Sequence, residues 1–96
     1  MFKISSGKGF QMSFANGWTV SVQFGPANYC ENRTMLIDNQ FSLSETDRIA
    51  GSKGSYDAEI AAWDVNGNWH DFGHDSVKGW CTADEVAQFI HLISTK

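Results

Sequence analysis

The run GFQMSFANGWTVSVQFG, residues 9–25, restricts the fold more than any other stretch of the chain. Apolar side chains recur at every second position, at Phe10, Met12 and Phe14 and again at Trp18, Val20, Val22 and Phe24, the period of a strand with one buried face. Asn16-Gly17 between the two halves marks a turn. A two-residue Asn-Gly loop would set Phe14 opposite Thr19 and Met12 opposite Ser21, mixing apolar and polar groups on both faces. A three-residue loop of Ala15, Asn16 and Gly17, with Gly17 left-handed, instead pairs Phe14 with Trp18, Met12 with Val20 and Phe10 with Val22. All seven apolar residues then share one face, and Gln11, Ser13, Thr19, Ser21 and Gln23 occupy the other. One greasy face needs a cover.

The C-terminal TADEVAQFIHLIS supplies it. Thr82 and Glu85 form a capping box, Asp84 and Glu85 favour the positive helix start, and Ala83, Val86, Phe89, Ile90 and Ile93 make one apolar stripe. A second hairpin is expected in AEIAAWDVNGNWHDF, residues 58–72, where a loop of Val65, Asn66 and Gly67 would place Trp63 opposite Trp69 and Ile60 opposite Phe72. Both its faces carry apolar groups, which makes it either a central element or a display of exposed tryptophans. Residues 34–38, TMLID, read as a further strand, and residues 44–55 as a polar mobile loop. The expected fold is α+β: an antiparallel sheet of about four or five strands built on two hairpins, with the C-terminal helix on one face. Ninety-six residues fit a single domain, 1–96, and 42% apolar content with 14% aromatic content is enough to form one core.

Charge narrows the functions. Seven basic against eleven acidic residues leave a net charge of −4, which argues against duplex nucleic acid as a partner, because phosphate affinity comes from clustered Lys and Arg. No apolar run is long enough to span a bilayer, and MFKISSGKGF lacks the apolar core of a signal peptide, so no membrane partner and a cytoplasmic location are expected. Two cysteines, Cys30 and Cys81, are then expected reduced.

The chemistry-bearing residues point to binding rather than catalysis. His70, Asp71, His74 and Asp75 in WHDFGHDS are good transition-metal ligand types, but Gly73 and the preceding hairpin favour strand and turn, where residues four apart do not converge. Cys81 precedes the helix start, where the dipole lowers a thiol pKa, yet no motif supplies a base or an oxyanion site. A phosphate loop, a nucleophile elbow and a Cys-x-x-Cys are all missing. No cofactor, metal site or catalytic residue is therefore assigned. In FGPANYCENR, residues 24–33, Gly25 and Pro26 end a strand, and Asn28 and Asn32 have backbone groups to satisfy. On one turn of helix, Tyr29 and Arg33 would share a side and offer a phenol and a guanidinium to a base, a phosphate or a carboxylate. Candidate binding residues are Asn28, Tyr29 and Arg33, with Trp63, Trp69 and Trp80 as aromatic helpers.

Two blocks, GFQMSFANGWTVSVQFGPANYCENR at 9–33 and AEIAAWDVNGNW with GWCTADEVAQFIHLI within 58–93, resemble small accessory proteins of tailed bacteriophages and prophages. The resemblance implies a stoichiometric inhibitor of bacterial immunity, acting in the host cytoplasm by binding a defence protein or by sequestering a cyclic nucleotide. A nucleotide sponge would place its pocket between copies of a homo-oligomer. The family brings no catalytic residues to carry over. The competing expectations are a small metal- or thiol-dependent enzyme using His70, His74 and Cys81, and a structural phage component.

Overall fold

The N-terminal hairpin has the register that its alternation demands. In a computed structural model of the chain, which describes residues 1–5, 8–25, 27–33 and 54–96, strands β2 (Gly9–Ser13) and β3 (Thr19–Gln23) pair Phe10 with Val22 and Met12 with Val20. The loop between them holds Gly17 at φ 88°, and Gly17 N donates to Phe14 O. A left-handed residue is needed there because the turn must match the right-handed twist of the strands.

Strand β1 (Phe2–Ile4) lies outside β2, and β4 (Asp57–Trp63) lies against β3. Strand β5 (Lys78–Thr82) closes the far edge, giving a five-stranded antiparallel sheet in the order β1-β2-β3-β4-β5. The α+β architecture is thus the expected one, with two differences. The second hairpin ends almost at once: Trp63 meets Trp69 as an isolated bridge, and Ile60 pairs with Lys78 of β5 rather than with Phe72. Asp71, Gly73 and Asp75 explain why, since their turns break the ladder: Asp71 Oδ1 accepts from Gly73 N at 2.7 Å, and Gly73 sits at φ 98°. The second difference is that β1 and β5 carry too few alternating residues to be read as strands from sequence. The strand expected at 34–38 lies outside the described residues, as does nearly all of the polar loop expected at 44–55.

The C-terminal helix, Ala83–Ser94, begins on the capping box foreseen for it. Glu85 N donates to Thr82 Oγ1 at 3.3 Å, and Thr82 N donates to Glu85 Oε1 at 3.0 Å. The Thr82 backbone N–H, aided by the Thr82 hydroxyl, holds the Glu85 carboxyl below its ordinary pKa. The helix packs on β3, β4 and β5, burying Phe89 and Ile93 with Val20, Val22, Ala58, Ile60, Ala62 and Cys81. Each fully buried aliphatic side chain contributes about 1.5–3 kcal/mol, so this cluster holds the two layers together. Val86 and Ile90 join at its margin, while Ala83 stays exposed. The turn of the first hairpin ties off the other end of the helix, where Asn16 Nδ2 donates to Ile93 O at 2.9 Å while its Oδ1 accepts from Trp18 N at 3.0 Å. One side chain thus serves the turn and caps the last carbonyls. Among the described residues no helix is long and apolar enough to cross a membrane.

Candidate functional site: an aromatic stack on the face away from the helix

Side chains alternate along β4, so Ala58, Ile60 and Ala62 face the helix while Asp57, Glu59, Ala61 and Trp63 face the other way. The carboxylate of Glu59 would be costly in mid-strand without donors. The segment after β3 brings them: Tyr29 N donates to Glu59 Oε2 at 2.8 Å and Asn28 Nδ2 to Glu59 Oε1 at 3.4 Å. Asp57 acts in the same way, accepting from Glu31 N at 2.6 Å, and Glu31 Oε2 in turn accepts from Tyr56 N at 2.9 Å. Residues 28–31 are therefore fastened across the back of the sheet by three carboxylates.

Within that segment the side chains divide by role. Asn28 is committed to the fold, since its Oδ1 also accepts from Gly25 N at 3.0 Å. Asn32 is fully buried and donates to Phe24 O at 2.8 Å and Gly54 O at 3.3 Å. Cys30 is buried, its thiol directed at Gly25 O, and burial pushes its pKa up. Tyr29 points outward and is 43% exposed. Arg33 returns to it as the spacing of four foresaw, with Cζ 4.6 Å from the ring centroid, within range of a cation–π contact.

Trp80 completes the group from β5. Two residues of β4, Ala58 and Ile60, bracket one residue while their partners Cys81 and Lys78 bracket two, so β5 bulges at Gly79-Trp80. Bulges of this kind redirect a side chain. Trp80 sits at φ 51°, the one non-glycine residue with positive φ among the described residues. Its N donates to Tyr29 O at 2.8 Å, its ring lies 5.7 Å from that of Tyr29 at 31°, and the residue is 56% exposed. Gly79 allows the approach: a Cβ there would fall 2.5 Å from Tyr29 Cβ. Arg33, Tyr29 and Trp80 thus form one contiguous, partly exposed stack on a fixed base.

Trp63 and Trp69 form a separate pair, with ring centroids 4.9 Å apart at 38°. Asp64 pins their turn by accepting from Asn66 N and Asn68 N, both at 2.9 Å, and the Asn68 backbone bond leads in lowering the Asp64 pKa. Trp69 is half exposed. Trp63 lies four residue steps along β4 from Glu59, about 13 Å of strand.

The residues of the metal and thiol readings disperse. His70 turns inward, edge-on to Phe72 at 4.7 Å and Phe89 at 5.3 Å, and burial, helped by Lys96, lowers its pKa. His74 and Asp75 are exposed in the turn. Among the described residues no three of His, Cys, Asp or Glu gather at one point. Cys81 is buried and free, and its thiol faces Gly79 O and Lys78 O. Burial raises its pKa, where the sequence reading expected the helix start to lower it.

Sequence reading did not single out Glu59 or Gly79. Glu59 carried a usable signal, an acid between Ala58 and Ile60 in an apolar strand, which calls for donors from elsewhere. A scan of protein-family models finds no match to this chain, and searches of curated proteins and of solved structures find none either.

Proposed function

We propose that this protein is a non-catalytic binding protein that recognises another protein through the Arg33–Tyr29–Trp80 stack. The observation that carries this reading is the backbone of Trp80. A bulky residue at positive φ costs on the order of 1–2 kcal/mol, and here that cost turns an indole outward, beside a phenol and a guanidinium, instead of into the core. Trp, Tyr and Arg are the residue types that dominate binding energy at protein interfaces.

The electrostatic setting favours a protein over a nucleotide. Arg33 stands beside a segment fastened by Glu31, Asp57 and Glu59, and carboxylates so close oppose a phosphate group. The biological setting, a phage-encoded inhibitor that binds a bacterial defence protein in the host cytoplasm, is supported by the resemblance of the two sequence blocks to phage accessory proteins.

Quantitative affinity capture from phage-infected bacteria tests the reading. Tagged wild type and His74→Ala, altered in a turn away from the stack, should retain the same host protein at near-stoichiometric level. Trp80→Ala, checked for intact folding by circular dichroism, should retain it at least about tenfold less, as truncating a hot-spot residue does. Equal retention by Trp80→Ala would end the proposal, as would saturable heat on titrating cyclic nucleotides in the absence of any protein partner.

A further inference from the structure

Among the described residues the helix side of the sheet is only partly covered. The helix lies on β3, β4 and β5, and the side chains that β1 and β2 direct to that same side are Phe2, Ile4, Phe10 and Met12, in register as Phe2 with Met12 and Ile4 with Phe10. Phe2 is 68% and Ile4 80% exposed. They form an apolar ridge along the edge of the sheet. Next to the ridge runs a groove of about 350 Å³, walled by Phe10, Val22 and Phe24 on the sheet and by Val86, Ala87 and Ile90 on the helix. Phe10 belongs to both.

The geometry points to a second copy of this chain as the occupant, the Phe2/Ile4 ridge of each copy entering the groove of the other about a two-fold axis. Reciprocal contact requires a knob and a hole on one face at a fixed offset. Here the offset is two strand spacings, from β1 to β3, or about 10 Å, which leaves room for both ridges side by side. Charge permits the approach as well. Each chain carries −4, but the four helix-side positions of β1 and β2 are uncharged, so the ridge brings no ion to desolvate, and Asp57, which also lines the groove, already accepts a hydrogen bond from Glu31 N.

Area sets the strength. Phe2, Ile4 and, at the far rim of the groove, Tyr56 are each at least two-thirds exposed. At about 150–250 Å² for a large side chain, these three remove at most some 350–600 Å² per copy. A standard stable interface buries about 800 Å² per partner. The expected product is a reversible dimer that forms at micromolar concentrations. Because this ridge and groove lie on the face opposite the Arg33–Tyr29–Trp80 stack, each dimer would display two stacks outward, the arrangement that raises avidity for a multimeric target.

Sedimentation equilibrium over a concentration series tests the dimer, using the whole chain. Wild type should dimerise with a Kd between about 1 and 100 µM, in keeping with the weak, transient class to which interfaces of below-standard size belong. Ile4→Glu on the ridge and Ala87→Glu on the groove wall should each raise that Kd at least about tenfold, by burying a charge. Leu92→Glu, at an exposed position on the other flank of the helix, should leave it unchanged. A wild-type chain that stays monomeric at about 500 µM, well above this range, overturns the inference. So does a dimer lost in Ile4→Glu but kept in Ala87→Glu, which would mean edge-to-edge pairing of β1 without the groove.

Discussion

The β2–β3 hairpin and the bulge of β5 meet the same sheet under opposite local rules. In the hairpin every choice agrees: apolar residues fall on the helix side, and the one left-handed position is a glycine, Gly17. In the bulge the left-handed position is taken by Trp80, although Gly79 precedes it. Sequences that specify a fold are locally consistent, and their exceptions concentrate at functional sites. On the proposed reading, the hairpin is built for stability and the bulge for presenting an aromatic surface.

The largest expected effect comes from cutting the bulge region loose. Glu59→Ala removes the acceptor for Tyr29 N and Asn28 Nδ2, and hydrogen bonds to a charged group are worth about 1.5–3 kcal/mol. Urea unfolding should show a loss of about 2 kcal/mol, together with loss of partner capture. If stability fell and capture persisted, the fastened segment would matter to the fold alone. Next in size is Gly17→Ala. A Cβ on Gly17 would sit at φ 88° and 3.2 Å from Val65 Cγ1, and an alanine forced to positive φ should cost about 1–2 kcal/mol. Partner capture should be unaffected, which separates the two regions.

The smallest effect is a pH dependence on the helix side of the sheet, remote from the stack. Burial against Phe72 and Phe89 lowers the His70 pKa in the folded protein. As pH falls through about 6.5, the ordinary histidine value, the unfolded chain takes up the proton first, so stability drops until the folded form titrates too. Thermal melts between pH 7.5 and about pH 5 should show this decline in wild type and a shallower one in His70→Phe. Identical slopes would mean that His70 is solvated in the folded state.

The legible part of the molecule is the part whose contacts lie close in sequence. The hairpin register followed from alternation and one Asn-Gly pair, the capping box from Thr82 and Glu85, and the meeting of Tyr29 with Arg33 from a spacing of four. What stayed hidden depends on partners far along the chain. Asn16 reads as a turn residue, yet it also caps a helix end 77 positions away. Ile60 pairs with Lys78 because the turns around Gly73 stop the nearer strand, and no period in the sequence announces where the chain will return. Trp80 was a candidate as an aromatic residue, but its positive φ and its contact with Tyr29 arise only once β5 is laid against β4. Asn28 reads as part of a gripping loop, while the bonds it makes with Gly25 N and Glu59 Oε1 fasten that loop to the sheet.

The central claim is that the backbone of Trp80 is held away from its preferred conformation for the sake of display. Comparing the unfolding free energies of Trp80→Gly and Trp80→Ala tests it with the ring absent from both. At an ordinary strand position glycine would be the weaker by about 0.5–1 kcal/mol. At φ 51° the order should reverse, with the glycine variant the more stable by about 1 kcal/mol. Were the alanine variant the more stable, residue 80 would carry no strain, and the argument for an exposed recognition stack would lose its main support.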